Sequence, residues 1–134
     1  MGYSVFIQKF ENGAPASVPY SEVATVLSQY GTIDRVGSRR EFTPHEENLC
    51  EVGFLSGNEN DGIDGISFER PVAGRALTGL IFRLLDLSGM CFFELDCTYV
   101  LAKTDVTGDL PEGLVEQCAS GRATVISSAE EIVL

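Results

Sequence analysis

Apolar and polar residues alternate at the start of the chain. Tyr3, Val5 and Ile7 fall on one side, and Ser4, Phe6 and Gln8 on the other, which predicts a strand over 3–10. Phe6 adds apolar surface to the second side, so this strand is expected to be central. Glu11-Asn12-Gly13 supplies turn chemistry after it. The period then changes. Val23, Val26, Leu27 and Tyr30 follow the i, i+3, i+4, i+7 spacing of one buried helical stripe. Pro19 suits the first turn, Ser17 or Ser21 can cap, and Gly31 is the expected left-handed stop.

Residues 32–55 read as two strands. The stretch 33–42 is polar and arginine-rich, an edge strand or long hairpin arm. The turn is 43–48 and 49–55 returns. A polar loop is expected over 56–65, with a short strand at 66–69. Leu77, Leu80, Ile81, Leu84 and Leu85 predict a second helix over 73–87, in which Gly79 would allow close approach to a sheet. The longest alternation follows: Cys91, Phe93, Leu95, Cys97, Tyr99 and Leu101 against Phe92, Glu94, Asp96, Thr98 and Val100, one long strand. Asp109 and Pro111 open a short helix over 110–120, with a last strand at 122–127 and a tail at 128–134. The order β-α-β-β-α-β, then α-β, fits a single α+β domain over 1–134. The expected arrangement is a ferredoxin-like or related sandwich, with two main helices on one face of a mainly antiparallel sheet and a short third helix.

Composition changes the picture in one respect. Twenty Asp and Glu against nine Lys and Arg give a formal net charge of −11, while 44% apolar residues suffice for an ordered core. So acidic a surface repels nucleic acid and anionic membrane and attracts basic partners. Cys50, Cys91, Cys97 and Cys118 form no CxxC pair and sit among apolar neighbours, as expected of buried, reduced thiols rather than a zinc site. The N-terminal apolar run is short and lacks a basic flank, Phe6 breaks the myristoylation pattern, and Arg83 and Asp86 interrupt the longest apolar stretch. A cytoplasmic protein, monomeric or homodimeric, is expected.

Candidate chemistry is sparse. On one strand, Glu94 and Asp96 would share a face about 7 Å apart, able to do acid–base work, hold a hard cation or meet a partner. Glu59, Asp61 and Asp64 crowd the polar loop, but EF-hand spacing fails: with Gly62 as the turn glycine, the twelfth position is Phe68. His45 is the sole histidine, in a turn five residues before Cys50. Arg35, Arg39 and Arg40 could bind an anion, but acids such as Asp34 and Glu41 are at hand. No phosphate loop or Gly-x-Ser-x-Gly element occurs. No catalytic residue, metal site or cofactor is therefore assigned, and Glu94, Asp96, Glu59, Asp61 and Asp64 are expected to bind a basic protein partner. The competing readings are a small-molecule or metal-binding protein, or an enzyme without a signature, and a homo-oligomer joined through 33–42.

The opening Tyr3-Ser4-Val5-Phe6-Ile7-Gln8-Lys9-Phe10-Glu11-Asn12-Gly13-Ala14-Pro15-Ala16 resembles a group of small acidic bacterial proteins of unknown function. They share the pattern Tyr-x-Val-x-x-Gln-x-Phe-x-x-Gly-x-Pro-Ala. Asp64-Gly65-Ile66-Ser67-Phe68-Glu69-Arg70-Pro71 and Asp109-Leu110-Pro111-Glu112-Gly113-Leu114 are similar to that group as well. The resemblance implies a bacterial cytosolic protein. Analogy with small acidic proteins of this kind implies an immunity role against a toxin.

Overall fold

The computed structural model describes residues 3–45 and 49–134. Its centre is β1 (Ser4–Glu11), which pairs antiparallel with β6 (Gly62–Glu69) on one side and β7 (Met90–Glu94) on the other. The central position expected from Phe6 is borne out. β2 (Ala14–Ala16) folds back on the end of β1 through a turn at Asn12 and Gly13, both at positive φ. Outward from β6 come β5 (Val52–Asn58), β4 (Arg39–Pro44) and β3 (Gly31–Val36). Outward from β7 come β8 (Val100–Ala102) and β9 (Thr124–Val125). Every pairing is antiparallel except β8 with β9. With three helices, the class is α+β around a large, mostly antiparallel open sheet.

Strand alternation divides the sheet into two faces. Val5, Ile7, Phe42, Leu55, Ile66, Phe68, Phe92 and Leu101 join Val23, Val26 and Leu27 of α1 (Tyr20–Leu27) and Leu77, Leu80, Ile81 and Leu84 of α2 (Arg75–Leu84) in the main core. Phe42 and Phe68 meet edge to face at 6.0 Å. The intervening residues Phe10, Cys91, Val100 and Ala102 join Val106, Leu110, Cys118 and Ala123 in a second cluster, with Leu114 and Val115 of α3 (Glu112–Gln117) packed on it. Each large aliphatic side chain buried this way is worth about 1.5–3 kcal/mol. The stripe read for α2 is fully buried, so packing holds this helix despite Gly79.

Several local expectations are corrected. No serine side chain caps α1, and Pro19 stands at its N-cap position. Gly31 begins β3 instead of stopping α1, and its glycine is set by crowding: an added Cβ would run into the Thr43 carbonyl oxygen and the Phe42 ring. Gly79 has open space around it, so it makes no close approach to the sheet. Residues 33–42 divide into a hairpin turning at Gly37, with β3 at the sheet edge. The turn expected over 43–48 lies partly outside the described residues. The polar loop shrinks to 59–61, since β5 and β6 extend into it as a paired ladder with a register shift after Ser56. Asp109 does not cap α3; its carboxylate accepts the backbone N–H of Asn12 at 3.2 Å.

The long strand expected over 91–101 is two strands. Cys97 N–H bonds the Glu94 carbonyl at 3.0 Å, Asp96 Oδ1 accepts the Thr98 N–H at 3.1 Å, and Cys97 takes a left-handed φ of 56°. Local Asx-turn chemistry therefore overrides the alternation and folds β7 back onto β8.

Candidate functional site

The β7–β8 turn places Glu94 and Asp96 in the lining of a cleft of about 620 Å³. Their expected relation is corrected: Glu94 ends β7 and Asp96 lies in the turn, so they do not share one strand face. They still converge, because both line this cleft and the charge of Asp96 acts on Glu94. Phe92 and Leu101, both in the main core, form the floor. Tyr99 and Thr124 border one side. The C-terminal segment adds a wall with Glu131, Val133 and Leu134.

That wall is held in a defined place. A 3₁₀ turn at Ala129–Glu131 carries a capping box in which Glu131 reaches back to Ser128. The Glu131 carboxylate accepts the Ser127 N–H at 2.6 Å and the Ser128 N–H at 3.0 Å. These amides hold its carboxyl below the usual range. Ile132 is buried beneath the segment and Val133 is 79% exposed.

Glu94 and Asp96 behave differently. Partial burial, then the neighbouring Asp96 charge, pushes the Glu94 carboxyl up. Among the described residues no ion pair includes Glu94 or Asp96. Between and beside them stand Leu95 and Tyr99, 77% and 61% exposed. Unpaired carboxylates beside bare apolar side chains can hold a cationic group that has an apolar stem.

The other expected site residues lie elsewhere. Glu59 and Asp61 line a separate cleft of about 420 Å³ beside Ser17 and Tyr20. Glu59 pairs with Arg40, and the Asn58 side-chain amide donates to Asp61 at 2.9 Å. Asp64 is half-buried in β6 and lines neither cleft. The arginines are engaged as well. Arg39 lies 4.6 Å from the Phe54 ring centroid and 3.5 Å from Glu41, and Arg35 bonds the Gly37 carbonyl at 3.3 Å.

His45 and Cys50 do line one shallow cleft of about 360 Å³, but burial pushes the Cys50 thiol up to about 12, the reverse of an activated nucleophile. Cys91 is likewise pushed to about 12 by burial, then by Cys118. All four cysteines are free; Cys50, Cys91 and Cys118 are buried as expected, and Cys97 is half-exposed. Among the described residues no group of His, Cys, Asp and Glu could hold a metal ion, and no helix is long and apolar enough to cross a membrane.

Tyr99, Leu95, Glu131 and Val133 were not singled out in the sequence. The Asp96-Cys97-Thr98 turn and the Ser128-x-x-Glu131 capping box are the signals that locate them. No family model, curated protein or solved structure matches the chain.

Proposed function

We propose that this chain is a non-enzymatic interaction module of immunity type, acting in the cytoplasm, that covers a basic protein partner with an acidic surface. The observation that carries this reading is the pair Glu94 and Asp96, without a cationic partner among the described residues and flanked by exposed Leu95 and Tyr99. Acids in this state steer a cationic partner, and the aromatic and aliphatic side chains supply contact area. The net charge of −11 extends the attraction beyond the contact itself. The resemblance to small acidic bacterial proteins agrees with such a role.

The scaffold is read as a ferredoxin-related sandwich with additions. Strands β5, β6, β1 and β7 are adjacent in that order and antiparallel, α1 lies between β1 and β5 in the chain, and α2 between β6 and β7. This order supports the split β-α-β reading, with the β3–β4 hairpin taken as an addition at one edge and β8, α3 and β9 as additions at the other.

The test is affinity capture from lysate of the source organism at low and high salt, with the parent and the Glu94→Lys, Asp96→Lys variant. One basic partner held near one to one by the parent, weakened by salt and at least tenfold weaker with the variant, supports the reading. Equal capture by both proteins overturns the role of Glu94 and Asp96. No basic protein at low salt overturns the reading as a whole.

A further inference from the structure

The cleft under the β7–β8 turn combines carboxylates with apolar surface. Five acids elsewhere pair with the chain's own cations: Glu41 with Arg39, Glu59 with Arg40, Glu51 with Arg70, Asp86 with Lys103 and Asp105 with Arg122. None of the residues lining this cleft is basic. Buried Phe92 and Leu101 line it together with the carboxylates of Glu94 and Asp96, so an occupant that is apolar along its length and positive at one end complements it. Lysine and arginine side chains have that form. The cleft volume, about 620 Å³, falls within the roughly 300–1,000 Å³ typical of small-ligand sites.

Exposed apolar side chains also flank the cleft. Leu95 projects from the turn at 77% exposure, and Val133 is 79% exposed on the C-terminal segment. β9 is the outermost strand at this end of the sheet. A small cation would leave that area uncovered, whereas an extended polypeptide covers it and can pair with the strand edge.

We propose that the cleft between the β7–β8 turn and the C-terminal segment is a docking groove for an extended segment of a basic protein. One arginine or lysine lies along Phe92, Tyr99 and Leu101 with its head between Glu94 and Asp96, and an apolar neighbour rests on Val133. This rests on the interaction-module reading above and names the segment such a partner presents. The Tyr99 ring adds a face for the cationic head.

The experiment is a titration of the ¹⁵N-labelled full chain, followed by amide shifts, with a capped peptide of alternating leucine and arginine. The same peptide with citrulline in place of arginine and butylguanidinium are the comparison ligands. The expected result is shifts confined to 92–101, 124–126 and 131–134, with the citrulline peptide at least tenfold weaker. Glu94→Gln with Asp96→Asn weakens the arginine peptide at least tenfold, and Glu59→Gln with Asp61→Asn less than twofold. Tyr99→Ser, which keeps both carboxylates, also weakens it. Shifts spread over the β5–β6 hairpin, or an affinity indifferent to Glu94, Asp96 and Tyr99, overturn the groove and leave the acidic-module reading standing. Butylguanidinium binding as tightly as the peptide makes this a small-cation site and overturns the segment. Failure of the arginine peptide to bind at low salt removes the groove; if lysate capture also yields no basic protein, the module reading falls with it.

Discussion

Two acidic hairpin tips stand on the same sheet, and they use their charge in opposite ways. In the β5–β6 tip the polar groups are consumed internally. Asn58 Oδ1 accepts the N–H groups of Asn60 at 2.8 Å and Asp61 at 2.7 Å, its amide donates to Asp61, and Glu59 is paired with Arg40. In the β7–β8 tip one Asp96 oxygen orders the turn, while Glu94 has no cationic partner among the described residues. An acidic composition therefore does not locate an interface. An acid that has a cation of its own, as Glu59 has Arg40, has less left to offer a partner.

The backbone at the two tips sharpens the contrast. The β5–β6 tip places glycine at its left-handed position. Gly62 has φ 93°, and a Cβ there would lie 2.6 Å from the Val18 carbonyl oxygen. That close approach serves the bridge in which Val18 and Ile63 exchange backbone hydrogen bonds at 2.9 and 2.8 Å. Gly62→Ala combines left-handed strain with a backbone clash, so a loss of about 3 kcal/mol is expected in urea unfolding. Unchanged stability would show that the bridge yields at little cost.

The β7–β8 tip carries the strain instead, since Cys97 sits at φ 56° with a side chain. Cys97→Gly removes a left-handed penalty of about 1–2 kcal/mol and adds a chain-entropy cost of about 0.5–1 kcal/mol. A gain of about 0.5 kcal/mol is expected, read from the same unfolding midpoints. A loss above about 1 kcal/mol would mean that the Cys97 side chain contributes packing that outweighs the strain.

Much of the scaffold was legible because its signals are local. The stripe Leu77, Leu80, Ile81, Leu84 has one period and one face, and all four residues are buried. The β5–β6 ladder was hidden because its tip residues, Ser56 to Asp61, face solvent and read as a loop, although Gly57 and Gly62 at positive φ mark a bulged, tightly closed hairpin. Glu94 and Asp96 line one cleft, but they were read from a strand geometry that the Asx turn at Asp96 replaces. The far wall of their cleft left only the Ser128-x-x-Glu131 capping box as a trace in the sequence. Val133 and Leu134 reach it through tertiary packing of the C-terminal segment on α2, to which no local pattern points.

The smallest effect separates two glutamates within one cleft. Glu94 has its folded carboxyl raised by burial and by Asp96, so the folded state holds that proton more tightly than the unfolded chain does. Stability then falls as pH rises from the ordinary glutamate value of 4.5 through the raised folded value. Glu94→Gln removes that fall, and its stability relative to the parent is expected to rise over the same window. Glu131 has the opposite sign. The Ser127 and Ser128 amides hold it low, so its contribution is present above the ordinary value and is lost as pH falls through the folded one. Glu131→Gln is expected to be less stable than the parent near neutral pH and to converge with it in acid. Urea midpoints of the three proteins from acid to neutral pH measure both slopes. If the two substitutions drift in the same direction with pH, Glu94 is not the strained member of the cleft, and it would have no reason to gain from a cation placed beside it.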